Sequence, residues 1–336
     1  MAERPPLILV MHPALVRGMI GEPQRARLDG LCELLDPEPL ADFDEPRAEA
    51  LLGRVEILLT GWGCPRLEAE VLVRAPALRA VIHAAGTVKN HVTDACWERG
   101  LVVSSAAAAN ALPVAEYTLA AILFANKRVF QLQRRYREVR AIRLWPAEAP
   151  GLGNLRKVVG ILGASRIGRR VIELLRPFDL EVLVSDPYLD AGEAEALGAR
   201  PVDLDTLFEA CDVVSLHAPS LPDTRHLVDA KRLALLGDGA TLINTARGAL
   251  VDHAALEAEL VSGRIAAVLD TTEPEILPAD SPLYDLPNVF LTPHIAGALG
   301  GETARMIELA LDEIERFVKG VPLEHAVTRE DLERVA

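Results

Sequence analysis

Aromatic side chains are scarce in this chain. Phe, Trp and Tyr together make up 4% of 336 residues, so its cores have to be built from Ala, Val, Leu and Ile. Cysteine is sparse and scattered, at Cys32, Cys64, Cys96 and Cys211, with no CxxC pair. That spacing excludes a metal cluster or thiol redox motif, and a chain of this size is not expected to depend on disulfides. A basic excess is also lacking: 35 Lys and Arg stand against 49 Asp and Glu, a net charge of −14. Nucleic acid and anionic membrane surfaces are therefore excluded as main partners, while a small anion held by one or two placed cations is not. Residues Met1–Pro6 carry no basic region leading into an apolar stretch and cleavage site. The longest apolar-looking stretch, Leu101 to Ala125, is broken by Asn110, Pro113 and Glu116, too polar to be read as a membrane span. A reduced, cytoplasmic protein is expected.

What is present is regular. Half the residues are hydrophobic and a quarter charged, and at roughly 150 residues per domain the length suggests two domains. Aliphatic runs recur at Leu7–Val10, Val55–Thr60, Leu78–His83, Leu101–Val103, Val158–Leu162, Glu181–Ser185, Asp212–Leu216, Thr241–Asn244, Ile265–Leu269 and Val289–Leu291. Stretches of helical spacing lie between most of them, such as Arg166–Arg176, Asp203–Ala210 and Asp252–Ser262. This alternation predicts α/β architecture with doubly wound parallel sheets. Longer helices are expected from Pro113 to about Arg128 and from about Glu302 to Lys319, and a loop from Trp145 to Gly153. A central domain (111–298) is read as inserted into an outer, discontinuous one (1–110 and 299–336).

The run Val158–Leu162 leads into Gly163-Ala164-Ser165-Arg166-Ile167-Gly168, a GxGxxG fingerprint with serine at its middle glycine. Such a turn lets backbone approach a pyrophosphate at a helix N-terminus. A second strand follows and ends in Asp186, 18 residues after Gly168. An acid there hydrogen-bonds the adenosine ribose and repels a 2′-phosphate, so NAD is expected over NADP. The bland alternative is a tight turn with a capping aspartate. Ser165 is read as tolerated, although its side chain could crowd the pyrophosphate.

Three later strand ends carry polar residues: Asn244-Thr245-Ala246-Arg247-Gly248, Asp270-Thr271-Thr272-Glu273-Pro274-Glu275 and Thr292-Pro293-His294-Ile295-Ala296-Gly297. An arginine fork grips a carboxylate in two places. A histidine exchanges protons with a reacting oxygen, and a neighbouring carboxylate favours an imidazole's charged form. Singly, Arg247 and His294 have ordinary structural explanations; together they form a set suited to a carbonyl acid.

These segments, with Leu216-His217-Ala218-Pro219, Thr224-Arg225 and the Pro113-Val114-Ala115-Glu116 helix start, resemble the D-isomer-specific 2-hydroxyacid dehydrogenase family in order and spacing over nearly the whole chain. The resemblance implies two doubly wound domains, Rossmann-like and flavodoxin-like, with the active site in a cleft, NAD as cofactor and a homodimer formed through the cofactor domain and the Gln131–Asn154 region. It implies that Arg247 holds the substrate carboxylate and that His294 moves the proton. The family's acid stands five residues after the aspartate, which gives Glu275, with Glu273 as the second choice because Ile276 replaces the usual proline. Gly163, Ser165, Arg166, Ile167, Gly168 and Asp186 would hold the pyrophosphate and ribose, with Ala218, Pro219 and Thr224 on the adenine side. Asp270 would bind the nicotinamide carboxamide, with backbone of Thr245, Ala246, His294 and Gly297 completing that half. The loop Ala85-Gly86-Thr87-Val88 would offer N–H groups to the carboxylate; it runs one residue shorter than the common pattern, and Lys89 lies beside it. Trp62 is either a packing anchor or a pocket wall. A small glyoxylate- or hydroxypyruvate-like acid is expected rather than a phosphorylated one such as phosphoglycerate, for want of a basic cluster. An NAD-binding regulator on the same fold is the alternative reading.

Overall fold

The computed structural model describes residues 4–141, 143 and 151–333. Of the expected loop from Trp145 to Gly153, and of the expected dimer region, residues 144–150 fall outside the described residues. The chain divides into two compact units, one made of Met1–Asn110 and Ala298–Arg334, the other of Ala111–Gly297.

The first unit holds a parallel sheet of β1 (Pro6–Val10), β2 (Glu33–Leu34), β3 (Ile57–Thr60), β4 (Ala80–His83) and β5 (Val102–Ser105), in the order β2-β1-β3-β4-β5. Every residue of β3 and β4 is buried, as a sheet covered on both faces requires. The strand period of two divides β1 between two cores. Leu7 and Leu9 pack with Ile57, Leu59 and Met306, Ile307 and Leu311 of the helix Thr303–Val318. Ile8 and Val10 pack on the other face with Leu58, Val81, Leu52 and Leu72. The C-terminal helix is thus part of the first unit's core, and Gly320 in left-handed backbone follows its end.

The second unit holds β6 (Lys157–Leu162), β7 (Leu180–Ser185), β8 (Arg200–Pro201), β9 (Val213–Leu216), β10 (Thr241–Asn244), β11 (Ala266–Leu269) and β12 (Val289–Leu291). All are parallel, in the order β12-β11-β10-β9-β6-β7-β8. The chain leaves β6 toward β7 on one side and returns through β9 on the other. The carboxyl ends of β6 and β9 therefore flank the point where a doubly wound sheet opens its ligand crevice.

Four elements differ from the sequence expectation. The helix expected at Pro113 begins at Ala107 and runs through the proline to Asn126. The preceding alanines favour helix strongly enough to carry it past a residue that removes one i→i−4 bond. This helix is long and apolar enough to cross a membrane by length and composition, as core helices also are, and its Ala115, Ala121, Ile122 and Ala125 pack into a core of the second unit. A helix Val129–Val139, not expected, follows Arg128 in left-handed backbone and has no fully buried residue. The edge strands β2 and β8 have two residues each, too few for an alternation to register.

Candidate active site

The turn after β6 is shaped by contact. A Cβ on Gly163 would lie 2.5 Å from the backbone nitrogen of Ala218, and Gly163 sits at φ +95°. A Cβ on Gly168 would lie 2.1 Å from the carbonyl oxygen of Gly163. Both positions therefore demand glycine, and both close the turn against the His217–Ala218 segment beyond β9. The middle position does not: Ser165 is extended (φ −62°, ψ 176°) and caps the helix Arg166–Leu175, its Oγ accepting the Gly168 N–H at 3.3 Å. The first-turn N–H groups of Arg166 and Ile167 stay free of intrahelical partners by helix geometry. Asp186 accepts the Ala164 N–H at 2.6 Å and the Tyr188 N–H at 2.8 Å, which ties the turn to the end of β7 and leaves lone pairs on both oxygens. A glycine cradle closed to any Cβ, a helix start and an acid beside them fit a dinucleotide. Thr224 is turned inward: its hydroxyl donates to Pro219 O at 2.6 Å and accepts the Leu221 N–H at 2.8 Å.

The three later strand ends converge. His294 Nδ1 lies 2.5 Å from Glu275 Oε1, with both side chains about half exposed. Glu273 does not share that place; it pairs with Arg225 at 2.8 Å, and this contact holds its carboxyl below the usual range. Thr272 Oγ1 donates to the carbonyls of Pro274 and Glu275 and so fixes the turn that presents Glu275. Arg247 donates to Ala246 O at 2.6 Å. Burial draws its guanidinium down from its usual range, and the charge of Glu275 opposes that shift.

Several residues that hold this arrangement carried no sequence expectation. Asn244, 1% exposed, accepts the Ala246 N–H and donates to Arg247 O, so one amide sets the backbone on both sides of the arginine's Cα. Gly248 is pressed against the Glu275 loop: a Cβ there would lie 2.1 Å from the carbonyl of Thr272. Neighbouring residues of one helix tie down two loops, Thr118 through Thr245 Oγ1 at 2.9 Å and Tyr117 through Thr292 Oγ1 at 2.8 Å. Thr292 in turn donates to Asp270 at 2.6 Å. Asp270 is 2% exposed and also accepts the N–H groups of Ile295 and Ala296, while its carbonyl accepts that of His294. His294 stands at φ +54° inside this clamp. For Asn244 and Gly248 the sequence signal is adjacency to Arg247; Tyr117 and Thr118, more than a hundred residues away, carry none.

In the first unit, the loop after β4 runs through Ala84, Ala85, Gly86, Thr87 and Val88. Among the described residues, the N–H groups of Ala85 to Val88 donate to no protein acceptor, although Ala85 and Val88 are buried. Backbone donors without a protein acceptor can receive an anion. Lys89 is half-buried beside this loop. The carbonyl of Trp62 accepts the His12 N–H, and the residue is 38% exposed.

Residues 119–296 match the family described as D-isomer specific 2-hydroxyacid dehydrogenase, NAD binding domain. The chain is 31% identical to D-3-phosphoglycerate dehydrogenase of Archaeoglobus fulgidus over 86% of its own length and 53% of the relative's. It spans about half the length of such relatives. It is 32% identical to glyoxylate reductase of Aeropyrum pernix over 90% of this chain and 92% of that one. Among solved structures, the TT0316 protein of Thermus thermophilus superposes with a TM-score of 0.75 at 29% identity, covering 96% of this chain and all of the other. The fold and the site define a dinucleotide-binding scaffold. The chain belongs to the D-isomer-specific 2-hydroxyacid dehydrogenase family, and its cofactor is NAD.

Proposed function

We propose that the protein is an NAD-dependent D-2-hydroxyacid dehydrogenase acting on a small 2-oxo acid and its 2-hydroxy counterpart. The observation that carries this reading is the His294–Glu275 contact of 2.5 Å beside the half-buried cation of Arg247. Bound NADH supplies the hydride for C2. Arg247 holds the substrate carboxylate and stabilises negative charge that develops on the carbonyl oxygen. Glu275 accepts a hydrogen bond from His294 Nδ1–H and orients the ring, and the Nε2–H of the imidazolium is delivered to that oxygen and taken back during oxidation. Asp270 keeps the His294 loop in place and would receive the nicotinamide carboxamide. Gly163, Ser165, Arg166, Ile167 and Gly168 hold the pyrophosphate, Asp186 the ribose, and Ala218 and Pro219 the adenine side. The open N–H groups of Ala85, Gly86, Thr87 and Val88 receive a carboxylate.

Two further assignments rest on the same reading. We place the protein in the cytoplasm as a homodimer. The four thiols are unpaired, which suits a reducing compartment. The helix Val129–Val139 leaves Tyr136 and Val139 more than half exposed, next to Phe124 and a stacked Phe130–Phe290 pair. A second copy would cover that face, and sedimentation showing only monomer at micromolar concentration would refute it.

The deciding experiment is NADH oxidation by the purified protein with glyoxylate, hydroxypyruvate, pyruvate, a branched 2-oxo acid and phosphohydroxypyruvate. His294→Ala should lose about 10²–10⁴-fold in rate on whichever acid is reduced. Tight NADH binding without turnover of any acid would favour a regulator over an enzyme.

A further inference from the structure

Below the open loop of the first unit lies a polar cluster that the proposed chemistry does not use. β3 and β4 are apolar until their last residues, Thr60 and His83, which are register partners in the sheet. His91 enters from the far end of the loop. All three are buried, at 0%, 3% and 2% exposure. Thr60 Oγ1 lies 2.8 Å from His83 Nδ1 and 3.4 Å from His91 Nε2, and the two rings lie 4.4 Å apart at 41°. One hydroxyl carries one proton, so it donates to one imidazole and accepts from the other, which fixes complementary tautomers. Burial draws both rings below their usual range, His91 to about 4, so both are neutral near neutrality.

The chain between the two histidines is the loop itself. Its foot is pinned by Ala84 N–H on Thr60 O, by Ala106 N–H shared between His83 O and Ala85 O, and by His91 and Val92 N–H on Val88 O. Between these pins stand the four open N–H groups of Ala85 to Val88. Three buried polar side chains where apolar ones would fill a sheet more cheaply are a costly way to pack a core. Placed at both ends of a loop one residue shorter than the family pattern, they serve to close it.

We infer that Thr60, His83 and His91 are positioning residues that clasp the 84–90 loop, holding its N–H groups at the spacing a substrate carboxylate needs. This rests on the assignment of that loop to the carboxylate. The clasp acts on the acid and not on NAD, whose turn and helix lie in the other unit.

The test uses the whole protein saturated with NADH. The readouts are KM for the 2-oxo acid it reduces and the dissociation constant of oxamate, an unreactive 2-oxo acid analogue. Thr60→Val keeps the side chain's shape and removes the hydroxyl; both constants should rise about tenfold, the scale of a lost hydrogen bond, with NADH affinity and kcat within about threefold. Thr60→Ser should restore both constants to within about twofold. His91→Leu should follow Thr60→Val and stands in for it should that variant not fold. Folded Thr60→Val or His91→Leu protein with unchanged KM and oxamate affinity would overturn the inference, since a merely structural cluster would lower Tm and leave those constants alone. Wild-type protein that neither reduces a 2-oxo acid nor binds oxamate overturns the reading beneath it, and the inference with it.

Discussion

Asp186 and Gly248 show how much of a site rests on single side chains, or on the want of one. Asp186 accepts two backbone N–H groups and stitches the glycine turn to the end of β7. It keeps lone pairs on both oxygens, which under the proposed function take ribose hydroxyls and set a charge against a 2′-phosphate. Asp186→Ala should weaken NADH binding and narrow its advantage over NADPH, measured as the ratio of the two dissociation constants; an unchanged ratio would reduce Asp186 to a cap. Gly248 has no room for a Cβ, since Thr272 and Glu273 backbone occupy its place. Gly248→Ala must push the Glu275 turn away from Arg247. It should cost on the order of 1–3 kcal/mol of stability by overpacking and lower kcat more than it changes NADH affinity, as steady-state kinetics and urea melts would report. Neither residue was equally legible. Asp186 announced itself by its distance from a glycine motif, whereas Gly248 needed the loop folded against it, 24 residues further on, before its lack of a side chain had meaning.

At the scale of elements, the helix Ala107–Asn126 does more than link one unit to the next. Its consecutive residues Tyr117 and Thr118 reach two different strand-end loops, one bearing His294 and the other Arg247. Thr118 is fully buried, so Thr118→Val leaves the Thr245 hydroxyl without its partner and should destabilise the protein by about 1–3 kcal/mol. Because the bond lies two residues from Arg247, the same change should raise KM for the acid, and Thr118→Ser should reverse it. A fall in Tm with unchanged KM would limit Thr118 to packing. Hydropathy marked this helix correctly but misplaced its start, because proline is a strong local signal and the helix is set by the alanines before it and the core around it. The helix Val129–Val139 went unread although Val129, Leu132, Tyr136 and Val139 recur at helical spacing, a stripe that buries no residue fully.

The molecule as a whole carries three histidines buried in the neutral form. His91 and His217 are drawn down to about 4 and about 3 by loss of water, and His83 well below its usual value of 6.5. The unfolded chain protonates these rings near 6.5, and the folded chain resists until far lower pH. Their contribution to stability is therefore full above 6.5 and is lost as pH falls from there toward 4 and 3. By pH 5 the loss should reach about 2 kcal/mol for each of His91 and His217, a large share of a typical folding free energy. Urea midpoints should drop steeply between pH 7 and pH 5, and His217→Gln should flatten the slope. A midpoint flat over that interval would show that the rings are protonated without penalty.

The linear chain determined the class of fold, because runs of aliphatic residues alternating with helical spacing leave few ways to bury both. It also marked the candidate set, Arg247, His294 and a carboxylate at Glu275 or Glu273, since each lies beyond a strand end, where a parallel sheet presents its ligands. The tertiary structure alone decided between neighbours: Glu275 meets His294 while Glu273, two residues away, turns to Arg225. It alone revealed the supports, Asn244, Gly248, Tyr117, Thr118 and the Thr60–His83–His91 clasp. The physical reason is range. Periodicity and motifs record what a residue needs from its near neighbours, whereas a hydrogen bond or a forbidden Cβ depends on groups brought from far along the chain, and only folding puts them there.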